Sequence, residues 1–143
     1  MNPQEIAAEL RNHHAVCREF LALFTEENHA LRDPQPWASG PFAEQRKRLL
    51  PQLESVLIRL RSCREQWSQM NVGERARCGE INQLLRDIQN LLPRILLLDR
   101  ENQQAMLRRG AVPAAQVAEA AKTAVASQRP HFVASLYQRH AAA

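Results

Sequence analysis

Residues 3 to 32 carry an apolar stripe that advances in alternating steps of four and three. It runs Ile6, Leu10, His13, Cys17, Phe20, Phe24 and, two steps further on, Leu31, and Leu21 and Leu23 widen it. This is the spacing of a helix packed along its length against other helices. The ends of the helix are marked as clearly as its face. Asn2, Pro3 and Glu5 supply an N-cap, a proline at the first helical position and a capping-box carboxylate. Asp33-Pro34-Gln35-Pro36 closes it, because a residue before proline is pushed out of helical geometry. A helix of about 30 residues is roughly 45 Å long. It cannot cover such a stripe alone, so the rest of the chain must supply partner helices.

Those partners are legible. After a loop over 33–41, with Pro34, Pro36, Gly40 and Pro41 as breakers, a second stripe runs Phe42, Leu49, Leu53, Val56, Leu60, Cys63, Trp67, Met70. Asn71 to Gly73 interrupt it, and Asn71 with Glu74 forms the next capping pattern. A third stripe runs Ile81, Leu84, Ile88, Leu91, Ile95, Leu98, Asn102, Ala105 and ends at Arg108-Arg109-Gly110, cations and a glycine suited to a helix C-terminus. The second and third stripes mirror each other about residue 72: Leu60 reflects onto Leu84, Val56 onto Ile88, Leu53 onto Leu91 and Leu49 onto Ile95. The expected fold is therefore all-α, an antiparallel bundle of three long helices in which an αα-hairpin over 42–109 packs on a helix over 3–32. Pro51 and Pro93 are also mirror positions. Either both kink their helices at one height, or Pro51 starts a new helix after a short one at 42–49.

Composition agrees with this class. The chain has 143 residues, the size of one domain, with 45% hydrophobic and only 5% aromatic residues and 4 glycines, too few strand formers and turn residues for an all-β fold. Three cysteines, Cys17, Cys63 and Cys78, form no CxxC pair and read as reduced thiols, which points to a cytoplasmic location. Glu5 and Glu9 near the N-terminus break any signal-like apolar run, and no stretch is apolar enough to insert into a membrane.

Past Gly110 the character changes. Residues 1–110 read as the bundle and 111–143 as a C-terminal segment of the same domain. The segment is Ala-rich over 113–127, is broken at Arg129-Pro130 and ends in the short apolar run Phe132-Val133-Ala134-Ser135-Leu136-Tyr137. Alanine favours helix but buries little area. The segment is either a short fourth helix docked on the other three or a mobile one that orders on a partner.

No catalytic constellation is present. Nucleotide-binding glycine loops and a GxSxG elbow are absent, so no enzyme activity and no cofactor are expected. Glu26 with His29 makes a single Glu-x-x-His step where di-metal bundles need two. His13 and Cys17 are one turn apart but lie on the apolar stripe with no further ligands at metal spacing, so no metal site is expected. The net charge is +4, from 19 basic and 15 acidic residues. Arg46-Lys47-Arg48 is the densest basic run, but interleaved Glu44, Glu54 and Glu65 make it read as a solvated helix face, which disfavours nucleic-acid binding. Trp37, in the proline-rich loop, is either a plug at the end of the bundle or an anchor for a partner.

This layout resembles the FlgN-like flagellar export (type III secretion) chaperones, small cytoplasmic all-helical proteins. The resemblance rests on the long first helix and on the basic segment Gln45-Arg46-Lys47-Arg48-Leu49-Leu50 leading to Leu53, similar to a charged "K..LL..L" stretch of the family. It rests too on Leu96-Leu97-Leu98-Asp99-Arg100-Glu101-Asn102-Gln103-Gln104, whose Asn102 matches a recurrent family asparagine, and on Tyr137 near the end of a variable tail. Where the family often has a glycine soon after that tyrosine, this chain has Gln138-Arg139-His140. The resemblance implies a chaperone that shields the C-terminal amphipathic helices of hook–filament junction proteins (FlgK-like and FlgL-like clients) and delivers them to the flagellar export gate. Val117, Ala121, Val125, Phe132, Leu136 and Tyr137 would then contact the client. Without the resemblance, the same stripes suit a helical adaptor or a homodimeric bundle.

Overall fold

The computed structural model of the chain describes residues 1–33 and 40–109. Four helices account for them: α1 (Pro3–Arg32), α2 (Gly40–Gln69), α3 (Val72–Arg77) and α4 (Gly79–Arg108). Three are 30 residues long and so span roughly 45 Å each. The bundle is all-α, as the three stripes require.

α1 begins and ends where the sequence marks it. The side chain of Asn2 accepts from the backbone N–H of Glu5, and the Glu5 carboxylate accepts from the backbone N–H of Asn2, closing the capping box. α2 starts at Gly40, slightly ahead of the expected loop boundary at 41. Pro41 therefore lies in its first turn, where an N–H would have had no helical acceptor, and it opens the helix instead of breaking it. α2 then runs unbroken through Pro51 and α4 through Pro93, so no new helix starts at Pro51. Both prolines face solvent, as do Lys47 and Gln89, whose carbonyls a proline four residues on cannot satisfy. Water can take those two acceptors, which is why the helices survive them.

The turn expected near residue 72 is built from α3. Asn71 caps it through a 2.8 Å bond accepted from the Glu74 N–H. The third stripe does not begin directly from this cap. Cys78, at φ −112° and ψ 60°, interrupts the helix, and α4 starts at Gly79. Trp67 Nε1 donates to Asn82 Oδ1 at 3.2 Å, which ties the end of α2 across this turn to α4.

α2 lies antiparallel to the other two long helices. It pairs with α4 through Arg46–Asp99 at one end and Trp67–Asn82 at the other, straddling the turn at about the mirror point read from the stripes. α1 runs parallel to α4, with Arg11 meeting Glu80 and Asn28 meeting Asn102. The closest backbone packing is that of α1 on α4, followed by α1 on α2, so α1 is the central element and α2 and α4 approach each other less closely.

One core joins the three helices. Ile6, Leu10, Phe20, Phe24, Leu49, Leu53, Val56, Leu60, Ile81, Leu84, Ile88 and Ile95 are buried in it together. In α4 the stripe differs from the expected one at three steps. Leu92, Asp99 and Met106 are buried where Leu91, Leu98 and Ala105 were expected. The helix repeat of 3.6 residues carries the buried face one position further on at these steps, and Leu91 and Leu98 remain half-buried at its margin.

Candidate functional site

The end of the bundle holding the α1 C-terminus, the α2 N-terminus and the C-terminal part of α4 carries a buried polar knot. Arg46 of α2 is 2% exposed, and Glu27 of α1, Asp99 of α4 and Asn102 of α4 are wholly buried. The guanidinium grips Glu27 with two prongs. Nε donates to Oε2 at 3.0 Å and Nη2 donates to Oε1. Nη1 donates to Asp99 Oδ1 at 2.7 Å. The planar fork of arginine suits this bidentate grip, and a lysine ammonium could not reproduce it. The guanidinium carbon also lies 4.2 Å from the centroid of the Phe24 ring, a cation–π contact. Asn102 closes the knot. Its amide donates to the Phe24 carbonyl at 3.0 Å and to Glu27 Oε1 at 2.9 Å, and its oxygen accepts from Asn28 at 2.9 Å. Burial alone works against the charge on Arg46. The hydrogen bonds and negative charges of Glu27 and Asp99 outweigh that, holding its pKa above the ordinary value.

Arg46 was expected on a solvated basic face, and the structure corrects this. Lys47 and Arg48 are exposed, but Arg46 is committed to the interior. Further along α2, Arg59 pairs with Glu9 and Arg61 with Glu65, so the arginines do not form one open cationic face. A signal for the knot did exist in the sequence. The first stripe steps from Phe24 to Leu31 over position 27, and the second steps from Phe42 to Leu49 over position 46. Both skipped positions carry charge, of opposite sign, on otherwise apolar faces. Asp99 had no such mark, because Leu98 beside it drew the stripe.

A second polar cluster lies toward the other end, between α1 and α2. Glu9 and His13 are one turn apart on α1, and Cys63 comes from α2. One ligand atom from each lies within 4.8 Å of the others. Cys63 Sγ donates to Glu9 Oε2 at 3.1 Å, and His13 Nε2 stands 3.8 Å from the same oxygen. Arg59 Nη2 sits 3.5 Å from the other Glu9 oxygen. Nε2 of His13 is buried and has no hydrogen-bond partner. Burial pulls the His13 pKa down, Glu9 partly opposes this and Arg59 adds to it. Burial, then the Glu9 hydrogen bond and charge, push the Cys63 thiol up to about 12. Cys17, one turn from His13 and buried, is not part of the cluster, and burial lifts its thiol to about 11. Sequence reading paired His13 with Cys17 and missed Cys63, because nothing local announces a donor fifty positions away on another helix.

The surface offers an open groove of about 650 Å³ between α1 and α4. Leu21, Ala22 and Leu91 form its apolar floor, and Arg18, Glu26, Asp87 and Arg94 line it with charges of both signs. Large exposed apolar residues elsewhere are scattered: Met1, Ile58, Val72 and Leu97. No described helix is long and apolar enough to cross a membrane. The expected client contacts Val117, Ala121, Val125, Phe132, Leu136 and Tyr137, and Trp37 in the proline-rich loop, lie outside the described residues. Comparison with protein-family models, with curated proteins and with solved structures finds no match to this chain.

Proposed function

We propose that this protein is a cytoplasmic export chaperone that holds the C-terminal amphipathic helices of hook–filament junction proteins and delivers them to the flagellar export gate. One observation carries most of the weight. The two stretches on which the family resemblance rests meet in space: Arg46 of the basic segment and Asn102 of the third helix join through Glu27. Their knot braces the end of the bundle at which α4 finishes, and Arg109 reinforces it by donating to the Asp33 carbonyl. α4 ends here at Arg108.

The client contacts are assigned to the segment past Gly110 by the resemblance, and the packing of the described helices is consistent with that assignment. The stripes of α1, α2 and α4 are spent on their common core. The α1–α4 groove sets Leu21, Ala22 and Leu91 among charges of both signs. The client contacts of this reading are Val117, Ala121, Val125, Phe132, Leu136 and Tyr137, whose apolar side chains would cover the client stripe and keep it from aggregating. The test is calorimetric titration of the full chain with a synthetic C-terminal peptide of a hook–filament junction protein. One peptide should bind per chain, and Val125→Asp and Leu136→Asp should each weaken binding at least tenfold while leaving the helical circular dichroism intact. Absence of binding to both FlgK-like and FlgL-like peptides would overturn the proposal.

A further inference from the structure

The geometry points to a transition-metal site between α1 and α2, in which Glu9 Oε2, His13 Nε2 and Cys63 Sγ bind one zinc ion. The site is independent of client binding and lies toward the opposite end of the bundle from the polar knot.

Three features converge on it. The donor set is an imidazole nitrogen, a thiol sulfur and a carboxylate oxygen, the ligand types zinc takes, and the thiol and imidazole exclude the hard cations magnesium and calcium. The spacing also fits. With zinc bonds of about 2.0–2.3 Å at tetrahedral angles, neighbouring donors lie about 3.4–3.6 Å apart. Here sulfur and oxygen are 3.1 Å apart and nitrogen and oxygen 3.8 Å, which need shifts of a few tenths of an ångström, and sulfur and nitrogen lie within 4.8 Å, which side-chain rotation of at most about 1 Å closes. Finally, the His13 side chain is only 6% exposed and its Nε2 has no hydrogen-bond partner, yet it faces the carboxylate of Glu9. A buried polar nitrogen without a partner costs about 1–3 kcal/mol. A metal ion at the centre of the cluster gives that lone pair an acceptor.

The charges balance as well. Zinc displaces the thiol proton of Cys63 to solvent, and the thiolate and the Glu9 carboxylate together neutralise the two positive charges. Arg59, against the other oxygen of Glu9, orients the carboxylate from outside the ligand set. Glu9 keeps 24% of its side chain exposed, which opens a path for the ion and leaves the fourth tetrahedral position to water. The bound ion would join α1 to α2 at a point where the sulfur–carboxylate hydrogen bond and the Arg59–Glu9 ion pair now link them.

The test is titration of the reduced full-length protein with cobalt(II), a spectroscopic substitute for zinc. A thiolate-to-cobalt charge-transfer band and intense visible bands of four-coordinate cobalt should grow to saturation at one equivalent, and zinc should abolish them. Cys63→Ser should remove the charge-transfer band, His13→Asn should weaken binding at least tenfold, and Cys17→Ser and Cys78→Ser should leave the spectrum unchanged. The wild-type titration decides the matter even if a variant fails to fold: no band at one equivalent overturns the site. A band that persists in Cys63→Ser, or that vanishes in Cys17→Ser with the fold intact, overturns the ligand assignment.

Discussion

Arg46 is the residue whose environment departs furthest from its chemistry. A buried cation survives because Glu27 and Asp99 meet it directly. Removing only one member leaves charge behind in the interior. Arg46→Ala should cost about 3–5 kcal/mol in urea unfolding, and Arg46→Lys should recover only part of that, because the fork is lost. The thiol of Cys17 gives a second expectation. Its folded pKa of about 11 lies above the usual thiol value of about 9. The folded chain therefore holds this proton to higher pH than the unfolded chain does. Its contribution is fully present below pH 9 and falls away as the pH rises toward 11, by about 2–3 kcal/mol. Urea midpoints between pH 8 and pH 10.5 should drop more steeply in the wild type than in Cys17→Ala. At pH 8 Cys17 should resist alkylation until the chain unfolds, and half-exposed Cys78 should react first.

At the scale of the elements, the helices combine strong starts with interior prolines. Pro51 and Pro93 each remove one helical hydrogen bond at an exposed position. Proline in a helix interior costs about 3 kcal/mol relative to alanine, and its stiffening of the unfolded chain returns about 0.4–1 kcal/mol. Pro51→Ala and Pro93→Ala should therefore each stabilise the fold, by about 2–2.6 kcal/mol in a chemical denaturation experiment, because the neighbouring core side chains already sit in a continuous helix. A loss of stability would mean that the prolines themselves are required for α2 and α4 to follow α1.

For the molecule as a whole, the question is whether the bundle holds without its last segment. The described core draws its buried apolar residues from α1, α2 and α4. The segment past Gly110 has seven large apolar side chains over some thirty residues, against a backbone ordering cost of about 1–2 kcal/mol per residue. A chain ending at Gly110 should keep its helical circular dichroism and melt cooperatively, and should bind the client peptide at least tenfold more weakly than the full chain. A melting temperature far below that of the intact protein would make the segment a structural fourth helix. Undiminished peptide binding would place the client groove on the bundle itself.

The helices and their apolar faces were legible because they arise from short-range rules. Caps at Asn2 and Asn71 act within four residues, and stripes such as Ile6–Phe24 and Leu49–Trp67 repeat every turn. The antiparallel pairing of α2 and α4 followed from the mirror symmetry of those stripes about their turn. The polar clusters were not legible in the same way. Glu27 and Arg46 showed only as charges on skipped positions of two stripes, Cys63 only as one more member of the second stripe, and Asp99 carried no mark of burial. Each of these groups acquires its partner from a helix distant in sequence, so its burial, charge state and hydrogen bonds are set by how the helices pack. The tertiary structure alone therefore decided that an arginine of the basic run is an interior brace, and that an acid, an imidazole and a thiol from two helices share one site.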